Sequence, residues 1–157
     1  MTESKDTEEQ VQQALRIAIV GTRHATDAHY ASFADRLVDA LMVFANDSAL
    51  NESAHEGLGG VTHLVSGGAR GIDTLAERFA ATLWHGQGAE MVVFPADWGR
   101  YGRAAGPLRN KQIHEAADAC VAFPDENSRG TLNTISLFKE SSKPFIIIPF
   151  ETLEVSA

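Results

Sequence analysis

Short apolar runs alternate with longer amphipathic stretches along most of the chain. Arg16-Ile-Ala-Ile-Val20, closed by Gly21, has the length of a buried strand. From Ala28 to Ala45, Tyr30, Phe33, Leu37, Val38, Leu41 and Phe44 recur at helical spacing, with Thr26 or Asp27 available as a cap. Residues 46–60 are small, polar and glycine-rich, a surface excursion. The pattern then repeats. Val61–Val65 predicts a strand, and Arg70–His85 a helix carrying Ile72, Leu75, Ala76, Phe79, Ala80 and Leu83 on one face. Glu90–Phe94 predicts the third strand, followed by a long loop through Pro95, Trp98 and Gly102. Pro107–Ala117 is helical, with the proline in the first turn, where a missing N–H breaks no hydrogen bond. Ala119–Phe123 is a strand, Thr131–Lys139 a helix and Phe145–Ile148 the last strand, stopped by Pro149.

Five such strands alternating with helices imply a single α/β domain of Rossmann-like, doubly wound type, with a mainly parallel sheet covered on both faces. The expected domain spans residues 15–150, between a polar tail at 1–14 and a short tail at 151–157. In such a sheet the strand order reverses near the first strand, and ligands bind beyond the strands' C-terminal ends at that point.

Composition adds little to this and charge adds more. The 157 residues, 44% apolar and 22% charged, fit one globular domain. No run of eighteen apolar residues occurs and the first ten residues are acidic, so a cytoplasmic protein without membrane attachment is expected. Cys120, inside Ala-Cys-Val-Ala-Phe, reads as a buried thiol rather than a nucleophile. His24, His29, His55, His63, His85 and His114 show no ligand spacing with it, so no metal site and no cofactor is expected. The net charge of −8 argues against general binding to a nucleic-acid backbone, and a nucleic-acid partner is not expected. Yet six of the nine arginines fall on one edge: Arg23, Arg70, Arg100, Arg103 and Arg129 in loops after strands or at a helix start, and Arg109 in a first helical turn. A cationic site in an acidic body suits a small anionic ligand.

The most specific motif is Ser66-Gly67-Gly68-Ala69-Arg70-Gly71-Ile72-Asp73, between a strand and a helix. Its glycines allow close backbone approach, and the helix start offers free N–H groups to a phosphate. It is neither the dinucleotide fingerprint nor a P-loop, and a tight turn needing glycine for geometry alone would also explain it. Ser128-Arg129-Gly130-Thr131 is a second glycine turn, where Thr131 could simply cap a helix. Asp73 reads either as an early-turn carboxylate favoured by the helix dipole or as an acceptor for a ribose hydroxyl. Asp97 and Trp98 follow the third strand. Trp98 could stack on a base or pack in a subunit contact.

Together these residues resemble the SLOG superfamily of Rossmann-like proteins, which includes DprA, the LOG phosphoribohydrolases and the YspA/YpsA-related group. Ile19-Val20-Gly21-Thr22-Arg23-His24-Ala25-Thr26 resembles the DprA opening, and the 66–73 octet resembles the DprA segment Ser-Gly-x-Ala-Arg-Gly-Ile-Asp. Arg109-Asn110-Lys111-Gln112-Ile113 is similar to its Arg-Asn-x-x-Ile. Phe94-Pro95-Ala96-Asp97-Trp98, Tyr101-Gly102, Ala105-Gly106-Pro107 and Arg109-Asn110 are most similar to the YspA-related branch. The likeness runs from Ile17 to Pro149. It implies a nucleotide pocket lined by Gly21, Thr22, Arg23, Ser66, Gly67, Gly68, Ala69, Arg70, Gly71, Asp73, Asp97, Trp98, Arg109, Asn110, Arg129, Gly130 and Thr131, and it implies self-association, as a dimer or higher homo-oligomer.

LOG enzymes cleave between base and ribose 5′-phosphate, with an arginine that Arg109 matches and the glutamate of Pro-Gly-Gly-x-Gly-Thr-x-x-Glu. Here Pro124 is displaced, Arg129 and Gly130 stand in the turn, and Thr134 occupies the glutamate's place. Threonine cannot move a proton as a carboxylate does. The first expectation is therefore binding or sensing of a nucleotide-derived ligand. The second is a nucleotide glycosidic-bond hydrolase, with Arg109, Asp73, Glu77 and Asp97 as candidate catalytic groups. A raised pKa on a cleft carboxylate would favour it. The third, a DprA-like single-strand-binding accessory, requires a cationic stripe beyond the pocket.

Overall fold

In the first strand successive side chains point to opposite faces, and both faces are apolar. The computed structural model describes residues 14–50, 60–83 and 90–156. In β1 (Arg16–Gly21), Ile17 and Ile19 enter one core while Ala18 and Val20 enter another. In β4 (Ala119–Phe123), Ala119, Val121 and Phe123 join the first core, and Cys120 and Ala122 the second. A strand apolar on both faces must lie inside a sheet covered on both sides. It does: β2 (His63–Ser66), β3 (Glu90–Val93) and β5 (Phe145–Ile147) complete a sheet of order β3-β2-β1-β4-β5 with every pairing parallel. The Rossmann-like α/β architecture is the expected one.

On one face lie α1 (Tyr30–Ala45) and α2 (Ile72–Leu83), contributing Phe33, Leu37, Leu41, Phe44, Leu75 and Phe79 to the larger core. Phe33 and Phe123 meet there with ring centroids 4.9 Å apart. On the other face α4 (Ala105–Ala116) and α5 (Arg129–Glu140) supply Ile113, Ile135 and Phe138. Cys120 is fully buried, and burial pushes its thiol pKa up, so it is an inert core residue. Residues 150–156 return over α1: Ser156 N–H donates to Ala28 and Glu154 N–H to Ser32 Oγ.

Several expected boundaries move. A 3₁₀ turn, Asp27–His29, precedes α1 with Thr26 at its N-cap position; the Thr26 N–H donates to His29 Nδ1 at 3.0 Å. The expected loop after β3 contains α3 (Trp98–Tyr101) and a 3₁₀ turn (Gly102–Ala104), which run into α4 two residues before Pro107. Asp97 starts that segment by accepting from Arg100 N–H at 3.0 Å, a cap that periodicity cannot reveal over a single turn. The last helix begins at Arg129 with Ser128 at its N-cap position, so Thr131 lies in the first turn and is not the cap. The loop expected at 46–60 and the end of the 70–85 helix fall largely outside the described residues. Among the described residues no helix is long and apolar enough to cross a membrane.

Candidate functional site

The strand order reverses between β1 and β4, and the chain leaves both strands at the same edge. Thr22 N–H donates to the Phe123 carbonyl at 3.0 Å, and Ile72 N–H donates to the Thr22 carbonyl at 3.0 Å. The β1 exit is thereby tied to the start of α2. Gly71 makes this approach possible: its φ is +82°, and a Cβ there would strike the Thr22 carbonyl and the Arg23 backbone.

Above this junction lies a cleft of about 330 Å³. Gly21, Thr22, Arg23, Ala69, Arg70, Asp73, Arg109, Asn110, Arg129, Gly130 and Thr131, all expected from the sequence, line it. A neighbouring hollow of about 320 Å³ is lined by Gly67, Gly68 and Trp98 together with Arg23, Ala69, Arg70 and Arg109. Ser66 and Gly71 are buried and line neither hollow. Asp97 caps α3 and Glu77 stands exposed on α2; neither lines either of these two hollows.

Arg109 joins the two hollows. Its Nη1 donates to the Gly67 carbonyl at 2.8 Å and its Nε to Asn110 Oδ1 at 3.0 Å. Asn110 is buried and passes the constraint on, donating from Nδ2 to Asn133 Oδ1 and to the Gly130 carbonyl. The guanidinium is thus oriented by the loop after β2 and by α4, itself tied to α5, before any ligand arrives, the preorganisation an anion site needs. Burial lowers the Arg109 pKa, as does the charge of Arg23, while the Asp73 carboxylate opposes both. Arginine nevertheless remains charged.

Asp73 is buried in the cleft wall. Burial raises its pKa to about 6, against the lowering effects of the Ala69 N–H bond at 3.1 Å, the Arg109 charge and a Ser66 hydrogen bond. Its position in the first turn of α2 fits a dipole-stabilised carboxylate, yet desolvation wins.

His24, Asp125, Asn127 and Ser128 also line the cleft but were not singled out as site residues in the sequence, although the last three lie in the loop that follows β4. Asp125 Oδ2 accepts from Thr22 Oγ1 at 2.6 Å and lies 2.8 Å from His24 Nδ1, while Oδ1 accepts from Ser128 Oγ at 2.8 Å and Asn127 N–H at 2.9 Å. These bonds, Thr22 first, hold the Asp125 carboxyl well below the usual carboxylate range. The signal available was Asp125 opening the loop after a buried strand next to the switch point. Thr134, at the place of the LOG glutamate, lines the cleft but is buried and donates to the Gly130 carbonyl at 3.2 Å. Among the described residues no group of three His, Cys, Asp or Glu side chains could hold a metal ion.

No family model matches the chain. Among solved structures it is similar in fold to DNA processing protein A of Streptococcus pneumoniae (TM-score 0.57, 18% identity, 86% of this chain and 50% of that one). This chain therefore spans half the length of that protein. It is also similar to DNA processing protein A of Helicobacter pylori, described for its single-stranded DNA binding mode (TM-score 0.52, 20% identity, 90% of this chain and 68% of that one). A third likeness is to the molybdenum cofactor binding protein of Rippkaea orientalis (TM-score 0.52, 17% identity, 86% and 76%). The fold is thus DprA-like. In sequence, 100 residues are 36% identical to the Gene 61 protein of Mycobacterium phage D29, covering 62% of this chain and 79% of that protein. On that identity and coverage, the chain belongs to the family of the mycobacteriophage Gene 61 protein.

Proposed function

We propose that the cleft at the β1/β4 junction binds a nucleotide or nucleotide-derived phosphorylated ligand. One observation carries this reading: the Arg109 guanidinium is half-buried and fixed by Gly67 and Asn110, with Arg23, Arg70 and Arg129 around it in a protein of net charge −8. A preset, desolvated cation binds an anion more strongly than one in water, and oriented arginine is suited to phosphate. The likeness of the 94–110 segment to the YspA-related branch belongs to the same reading.

Asp73 favours a second reading, hydrolysis of the bond between base and ribose phosphate. A carboxyl with pKa near 6 is poised to exchange a proton at neutral pH, the role that Thr134 cannot fill. The likeness to a protein described for single-stranded DNA binding motivates a third, in which the same arginines hold the phosphate of a strand.

Mass spectrometry of incubations with nucleoside mono- and diphosphates and cyclic nucleotides, beside thermal-shift measurements on the same samples, tests the proposal. A stabilising nucleotide recovered intact supports binding. Release of base or ribose phosphate, abolished in Arg109→Ala, supports the second reading. Stabilisation by oligonucleotide alone supports the third, and stabilisation by nothing in the panel contradicts the proposal.

A further inference from the structure

The two hollows differ in chemistry yet share a cationic wall. The first, over the β1/β4 junction, sets Thr22, Asn127, Ser128 and Thr131, with their hydroxyl and amide groups, beside the apolar Val20 and Ile113. The second adds Pro95, Ala96 and the Trp98 indole above the Gly67–Gly68 backbone. Trp98 is half exposed at 50%, and a Cβ at Gly106 would lie 3.2 Å from its Cη2, so the ring rests edge-on against α4. Each hollow, at about 330 and 320 Å³, is large enough for a nucleoside. Arg23, Arg70 and Arg109 stand at their boundary and line both. Among the described residues, Arg23, Arg70 and Arg129 make no ion pair, and Asp125 is already engaged by Thr22, His24, Ser128 and Asn127. Arg23 and Arg70 are thus left without an acidic partner among the described residues at the ridge, where Asp73 offsets part of the Arg109 charge and Arg23 presses electrostatically on it.

We infer that the ligand has two nucleoside lobes joined by a phosphate bridge: the bridge sits on the Arg23–Arg70–Arg109 ridge, one nucleoside fills the cleft over the β1/β4 junction and the other stacks on Trp98. This rests on the nucleotide reading above and narrows it to a dinucleotide. A mononucleotide would fill one hollow and leave the stacking surface wet. The bridging anion relieves the repulsion between arginines, and the flat indole supplies base-stacking energy that does not depend on which base is present.

Calorimetric titration of the full chain with diadenosine and diguanosine pyrophosphates, beside AMP, GMP and a ten-residue oligothymidylate, tests it. The expected result is at least about tenfold tighter binding of a dinucleoside pyrophosphate than of its half. In Trp98→Leu that ratio should fall toward one, and Trp98→Phe, which keeps a stacking ring, should restore most of it. Mononucleotide binding with no gain from the second lobe would overturn the two-lobed site and leave the nucleotide reading standing. Oligothymidylate binding tighter than either pyrophosphate, with the same dependence on Trp98, would overturn it in favour of a strand. Binding of none of the probes would overturn both the two-lobed site and the reading beneath it.

Discussion

The Gly67 carbonyl accepts from Arg109 Nη1 at 2.8 Å, and the guanidinium occupies the very space that a Cβ on residue 67 would need. The glycine is therefore a seat for the arginine, and two glycines of this octet, Gly67 and Gly71, fail differently when replaced. Gly67→Ala meets only the end of a flexible side chain, which can swing aside. We expect less than about 1 kcal/mol of lost stability but about a tenfold loss of nucleotide affinity, because the cation is displaced. Gly71→Ala meets the Thr22 carbonyl at a φ of +82°, so about 2 kcal/mol or more of stability should go. Urea unfolding and ligand titration on both variants separate the two effects.

Asp73 gives stability a pH dependence of defined sign. Its folded pKa of about 6 lies above the ordinary 3.8, so the folded state binds the proton more tightly than the unfolded chain. Protonated Asp73 is tolerated at low pH; ionisation costs stability as pH rises from about 4 to about 6, by roughly 3 kcal/mol at most. Asp73→Asn should remove that slope while keeping an acceptor for the Ala69 N–H. Unfolding free energies of the two proteins across that range check it, and parallel curves would remove the buried carboxylate from the explanation.

Asp125 acts in the opposite direction. Its carboxyl is held below the ordinary range, so its contribution is present above pH of about 4 and is lost as pH falls further. Asp125→Ala removes the acceptor for Thr22, Ser128 and Asn127 and the partner of His24. We expect a loss of about 2–3 kcal/mol at neutral pH. Asp125→Asn should lose less and show a flatter acid limb in chemical denaturation.

Much of the architecture was legible because parallel strands buried on both faces leave short unbroken apolar runs, as in Ile17–Val20 and Ala119–Phe123. The edge carrying the site was legible too, since loops following such strands must gather there, and Gly21, Arg70 and Arg109 do meet. The Thr22–Asp125 contact was not. Its partners are 103 residues apart and meet only because β4 inserts beside β1. The helix Trp98–Tyr101 escaped for a local reason: four residues cannot show a period, and its start depends on the Asp97 cap. Thr131 misled for a similar reason. Ser128 and Thr131 are both capping residue types; the helix starts after the earlier one, whose hydroxyl bonds Asp125 instead of capping the helix.

The most direct test of the site is the affinity of Arg109→Ala for whichever nucleotide stabilises the wild-type chain, measured by calorimetry alongside thermal unfolding of the free proteins. A loss of about ten- to a hundredfold in affinity, with a small change in unfolding, is expected if the half-buried guanidinium holds the phosphate. Unchanged affinity in a folded Arg109→Ala protein would contradict the account and move the phosphate away from the β1/β4 junction.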